Sequence, residues 1–289
     1  MHKSYDGTIE HLKSWCRQEK DIQAALILGS QVRKSNAGDE WSDLDTLLLV
    51  DDPQKFVQSG EWFKFLGETL CVIIEETNLD WIHLTWRVVR ILFTDNRCID
   101  FSIIPYNRID DALAINAEIH AHGYEVLYDA FGNLVASKIE ATLGDLKELQ
   151  PEYPTENEIV RLVQRLMFQL IYAGKKIKRN ELWVAVSCIN QSINQDLLQL
   201  IEHHAALTPQ KPQQIAYEGR FLEQRISGKV RGKLPYCFAE YDSQHAAQTI
   251  GCLIDIISEL SKDISDERGY HFDSALFEGI RKLHTEMFG

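Results

Sequence analysis

The chain has 289 residues, 45% of them apolar, with a net charge of −13; that length holds one large domain or two of ordinary size, and that apolar share supports real cores and excludes disorder. No apolar run is long enough to cross a bilayer, the N-terminal MHKSYDGTIEHLK lacks the apolar segment of a secretion signal, and the six cysteines form no Cys-x-x-Cys pair, so a reduced, cytoplasmic protein with no membrane partner is expected. The charge is uneven, −11 over residues 1–150 and −2 over 151–289; this weighs against a nucleic-acid backbone as partner and suits either plain solubility or a cleft that concentrates a small cationic substrate.

Ile9, Leu12, Trp15 and Cys16 recur at helical spacing, which predicts a helix over 8–20. Ile22 to Leu28 reads as a buried strand that ends at Gly29-Ser30, and the polar stretch 31–42, with Asn36-Ala37-Gly38-Asp39, reads as a loop. A second strand is expected over Asp43–Val50, stopped by Asp51-Asp52-Pro53, then a helix over 60–68 carrying Trp62, Phe63 and Leu66, and a strand over Leu70–Glu75. Arg87–Thr94 and Arg97–Ile104 read as two strands joined by a two-residue Asp95-Asn96 turn. Residues 106–150 read as mixed helix and loop.

The proline-flanked stretch Gln150-Pro-Glu-Tyr-Pro154 is the expected domain boundary, and Thr155-Glu-Asn-Glu158 after it fits a capping box. Amphipathic helices follow over Ile159–Lys178, Glu181–Ala206, 213–226, Gln244–Ile264 and Ser274–Phe288, so the C-terminal part reads as a helical bundle.

The chemistry gathers in the first part. In a strand, side chains alternate, so Asp43 and Asp45 share a face. Two neighbouring carboxylates repel unless a cation sits between them, and Mg²⁺ favours oxygen ligands and accompanies phosphate substrates. Asp100 sits in mid-strand, where a carboxylate needs a role or a partner, and becomes the third member. Gly29 allows a phosphate close to the backbone, and the Ser30 hydroxyl and nearby amides can bond a terminal phosphate. A metal and nucleoside-triphosphate site is therefore expected at Gly29, Ser30, Asp43, Asp45 and Asp100. His203-His204 has no metal-ligand spacing and reads as a helix cap or surface pair.

The order Gly-Ser, Asp-x-Asp, third Asp resembles the nucleotidyltransferase superfamily that includes DNA polymerase beta. Leu28-Gly29-Ser30, Asp39-Glu40-Trp41, and Arg97-Cys98-Ile99-Asp100 followed by Ile104-Pro105 are more specifically similar to aminoglycoside nucleotidyltransferases of the streptomycin 6-adenylyltransferase type. Asn180-Glu181-Leu182-Trp183 and Gly219–Glu223 match more loosely. The resemblance implies an α+β architecture: a polymerase beta-like catalytic domain over 1–150, a mixed sheet with helices, followed by an all-α bundle domain over 151–289 that helps bind substrate. It implies Mg²⁺-dependent transfer of AMP from ATP to a hydroxyl of a small cationic acceptor such as an aminoglycoside, with release of pyrophosphate. Asp43 and Asp45 would hold two Mg²⁺ ions, and Asp100 would complete one of the two metal sites and act as general base.

Gln31 stands where the family often has arginine, which makes Arg33 the expected substitute, and Lys175 or Lys178 is expected to reach the triphosphate. The acceptor is expected between the domains, against Asp39, Glu40 and Glu76. Two competing readings remain: an enzyme of this fold acting on RNA or a protein side chain, with the acidic balance counting against RNA, and a non-catalytic nucleotide-binding protein, whose hallmark, loss of the aspartates, is not seen here.

Overall fold

The computed structural model describes residues 5–33, 37–58, 60, 62–148, 153–207 and 219–289, leaving aside the side chains of 81, 118 and 145–148. The chain divides into two compact units, Met1–Pro151 and Glu152–Gly289. The architecture is α+β, a mixed sheet with helices and then helices alone.

In the first unit, helix α1 (Asp6–Gln18) leads into β1 (Ile22–Leu28), then β2 (Leu44–Val50) and a short α2 (Pro53–Gln58). Strands β3 (Thr69–Leu79), β4 (Leu84–Phe93) and β5 (Cys98–Pro105) follow, then α3 (Ile109–Ile115), α4 (Ala117–His122), β6 (Glu125–Asp129) and α5 (Leu134–Glu148). The six strands lie in the order β3-β4-β5-β2-β1-β6, antiparallel except for the parallel β2/β5 pair. Strands β1 and β2 are apolar at nearly every position because both sheet faces are covered there. One face buries Ile27, Leu48 and Phe101 against Leu12, Cys16 and Phe56, and the other buries Leu26, Leu47 and Ile104 with Leu113 and Ile139.

Several expectations need correction. The expected helix over 60–68 is instead α2, placed earlier, followed by a 3₁₀ turn at Lys64–Leu66, with residue 61 outside the described residues. Pro53 suits a first helical position, the Asp52 carboxylate accepts the Gln54 N–H at 2.9 Å, and Gly67 at φ 141° ends the later turn. Strand β3 continues to Leu79 because β4 pairs with it along that length. The β4–β5 link runs from Thr94 to Arg97 rather than two residues, closed by Asn96 N–H to Phe93 O at 3.0 Å with Asn96 in the left-handed region. Strand β6 lies inside the stretch expected to be helix and loop; at five residues its pattern was too short to stand out, and its pairing with β1 defines it.

The second unit contains α6 (Glu156–Lys178), α7 (Leu182–Ser187), α8 (Asn194–Ala205), α9 (Leu222–Arg225), α10 (Gly228–Arg231), α11 (Ser243–Arg268) and α12 (Ser274–Phe288). The capping box at Thr155 and Glu158 is formed in both directions. Ile159, Leu162, Val163, Leu166 and Leu170 face a core shared with Ile250, Leu253, Ile257 and Leu260 of α11. The single long helix expected over 181–206 is α7 and α8 joined by a π-helical segment, Cys188–Ile193. In that segment the Asn190 side-chain amide donates to Ala239 O and accepts from Ala239 N–H, both at 2.8 Å, an attachment that apolar periodicity does not register. Of the expected boundary 150–154 and helix 213–226, residues 150–152 and 213–218 lie outside the described residues; within the rest of the latter only α9 is α-helical.

Candidate active site

The site begins where β1 runs out. After Leu28 the chain turns through a 3₁₀ segment, Gly29–Val32, with Gly29 at φ 71°. Leu28 is the register partner of Asp45, so the turn starts directly beside that carboxylate. A Cβ on Gly29 would lie 2.1 Å from Asp45 Oδ2; glycine is required both by the backbone angle and by the carboxylate. Ser30 follows, buried, its Oγ without a hydrogen-bond partner among the described residues. A buried hydroxyl left unbonded is costly and suits an acceptor supplied from outside, such as a phosphate oxygen. Gly38 N–H donates to Ser30 O at 2.7 Å and closes the loop back onto the turn.

The parallel pairing of β2 with β5 puts Asp45 directly opposite Asp100. Asp43 lies one residue before β2 begins at Leu44, not within the strand, yet the three carboxylates converge: one ligand oxygen from each lies within 4.8 Å of the others. All three are half-buried. Burial pushes the Asp100 carboxyl above the ordinary carboxylate range; Arg90 opposes the shift, and Asp43 and Glu75 add to it. Three carboxylates at this spacing are the hard, anionic oxygen donor set that Mg²⁺ prefers, so these residues fit such an ion.

Arg90 joins the site without any signal in the sequence. On β4 it is the register partner of Asp100, donating to Asp100 Oδ2 from a terminal guanidinium nitrogen at 3.0 Å and to Glu75 Oε2 from Nε at 3.0 Å. An arginine in a strand carries no signal of its own until the register is known. Tyr5 carries no such signal either: its hydroxyl donates to Cys98 O at 3.0 Å and accepts from Cys98 N–H at 3.1 Å, which ties the start of the chain to β5 two residues before Asp100.

Ahead of Asp43, Asp39 organises a tight loop, its Oδ1 accepting from the Trp41 N–H and the Ser42 hydroxyl, both at 3.0 Å. These bonds hold its carboxyl below the usual range. Glu40 and Trp41 are exposed on the same loop, and Arg33 ends the 3₁₀ turn.

Glu76 is not brought to the carboxylates. Its register partner Arg87 faces Ile103, three residues from Asp100 and so on the opposite sheet face, and Glu76 is engaged by Arg87 at 3.0 Å. Glu75, one residue earlier, has the site-side position. In the second unit, Lys175 and Lys178 are exposed near the end of α6 and line a groove of about 480 Å³ with Ile171, Arg179 and the end of α12; Lys178 Nζ also lies 5.6 Å over the Phe288 ring. His203 and His204 close α8 and diverge: the His203 carbonyl accepts from Tyr153, and His204 faces Asp263 at 3.2 Å.

A family model described as streptomycin adenylyltransferase matches residues 2–287. Among curated proteins the chain is similar to an aminoglycoside 6-adenylyltransferase of Bacillus subtilis (strain 168), 22% identical over 93% of this chain and 92% of that one. A second, from Campylobacter jejuni, carries the same name and is 17% identical over 90% of this chain and 87% of its own. Among solved structures, a crystal structure of an aminoglycoside 6-adenyltransferase from Bacillus subtilis aligns over 97% of both chains with 18% identity and a TM-score of 0.43.

Proposed function

The chain belongs to the streptomycin adenylyltransferase family, and on that premise we propose that it transfers AMP from ATP to a hydroxyl of an aminoglycoside, releasing pyrophosphate. The observation that carries the reading is the convergence of Asp43, Asp45 and Asp100 beside the Gly29-Ser30 turn. Mg²⁺ held by the three aspartates would neutralise the triphosphate and support in-line displacement at phosphorus. The bare backbone at Gly29 admits a phosphate, and the unbonded Ser30 hydroxyl donates to one of its oxygens. Asp100, opposite Asp45 across the β2/β5 pair, accepts the proton of the attacking hydroxyl.

Arg33, Lys175 and Lys178 are assigned to the triphosphate as cations of flexible reach. The loop carrying Asp39 and Glu40 is assigned to the acceptor, whose ammonium groups an acidic unit concentrates. Residues 1–150 thus form the catalytic domain and 151–289 the substrate-binding domain. Six free cysteines suit the cytoplasm, and among the described residues no helix is long and apolar enough to cross a membrane.

Incubation with MgATP and a panel of aminoglycosides, read by mass spectrometry, should give one added adenylyl group on at least one of them. No adduct on any member would remove the acceptor class, and transfer that persists in excess chelator would remove the metal.

A further inference from the structure

A single cross-strand row runs over the site. Leu28 of β1 faces Asp45 of β2, Asp45 faces Asp100 of β5, Asp100 faces Arg90 of β4, and Arg90 faces Ile73 of β3. Glu75, two residues along β3 from Ile73, shares that face and reaches Arg90 diagonally at 3.0 Å. The guanidinium is therefore shared between two carboxylates through different nitrogens, one bond to each. One of those carboxylates belongs to the three-aspartate cluster. The other does not.

Three carboxylates within 4.8 Å repel one another strongly. A cation touching one of them relieves that repulsion, and a divalent ion entering the cluster meets the same cation as a like charge. We infer that Arg90 is a built-in counter-ion of the three-aspartate site: it orients and neutralises Asp100 when no metal is bound, and yields to Glu75 when a divalent ion takes over that charge. Arg90 is thus a positioning residue acting through Asp100, and Glu75 acts through Arg90. Both side chains are half-exposed, which leaves the guanidinium room to move. The inference rests on the reading of the aspartates as a metal site.

The two partners should then shift metal affinity in opposite directions. Arg90→Met removes a like charge a few ångströms from a divalent ion, and even at the dielectric of water this corresponds to about tenfold or more tighter Mn²⁺ binding. Glu75→Gln removes the alternative partner and leaves Arg90 committed to Asp100, so Mn²⁺ binding weakens severalfold. Free Mn²⁺ measured by electron paramagnetic resonance, without nucleotide, reads both. Melting temperatures give a second readout: Arg90→Met should melt lower than wild type without metal and approach it when saturated with Mn²⁺.

If the two variants shift Mn²⁺ affinity in the same direction, or neither shifts it, Arg90 is only a structural ion pair and the inference fails. Should Arg90→Met not fold, Glu75→Gln alone decides, because unchanged or tighter Mn²⁺ binding in it refutes the exchange. Wild-type protein that binds no Mn²⁺ defeats the metal-site reading itself, an outcome distinct from both.

Discussion

The open end of the sheet and the core of the helical unit follow opposite rules. Around Gly29, polar and charged groups are held close together: a glycine in the left-handed region, a buried serine hydroxyl with no partner among the described residues, and three carboxylates within 4.8 Å. Around Leu166, apolar side chains recur along α6, the N-terminus is closed by a full capping box, and the buried stripe meets α11. Around Leu166 the bundle satisfies its local preferences; the strand ends around Gly29 violate several in one place. Such concentrated local conflict is the mark of a functional site, held in place by the surrounding structure.

The contrast can be broken experimentally. The largest effect should come from Asp45→Asn, which removes a ligand charge while keeping shape. Transfer should fall about 10³-fold or more, the equivalent of several kcal/mol of transition-state stabilisation, with little change in melting temperature. Retained activity would sink the assignment of the site.

Leu166→Ala should do the reverse. Leu166 is fully buried in the bundle core, and the cavity should cost about 2–5 kcal/mol in chemical denaturation. The three carboxylates lie in the other unit, so the folded variant should still bind Mn²⁺; lost Mn²⁺ binding in protein that remains folded would show that the two regions are not separable as described.

His120 of α4 makes the first unit sensitive to pH. It is buried, neither ring nitrogen has a partner among the described residues, and burial pushes its pKa down to about 4. An unfolded histidine titrates near 6.5. The folded value is the lower one, so the unfolded chain binds the extra proton: the stabilisation is complete above pH ~6.5 and is lost as pH falls towards ~4, by up to about 3 kcal/mol. His120→Leu should flatten this acid limb; an unchanged limb would assign it to the carboxylates.

Gly29→Ala should cost about 1–3 kcal/mol in stability, from the left-handed backbone and the contact with Asp45, and should also lower transfer by moving that carboxylate. A purely local strain would spare activity. Thr155→Ala, which opens the capping box, should cost only about 1 kcal/mol and leave transfer unchanged.

The bundle was legible because a helix declares itself locally. Its buried face repeats every three to four residues, and Thr155 and Glu158 mark its start within one turn. Ile22–Leu28 was legible for a similar reason, as an apolar run stopped by Gly29-Ser30. Strand β6 was not, because five residues with a mixed pattern gain their identity from pairing with β1. The helix expected over 60–68 failed where turn chemistry at Asp52-Pro53 and Gly67 outweighed an apolar stripe.

The sequence alone pointed to the residue types that gather at the candidate site: a glycine-serine turn after a strand, an Asp-x-Asp opening the next, and a carboxylate in mid-strand fifty-five residues after Asp45. Only the tertiary structure decided which of them meet. Asp45 stands against Asp100 because β2 and β5 pair in parallel at one register, and a slip of one residue would turn Asp100 to the other face. The same register selected Glu75 rather than Glu76 and brought in Arg90, whose role no local pattern announces. Periodicity is written along a few consecutive residues. Register between distant strands is settled by both covered faces of the sheet at once.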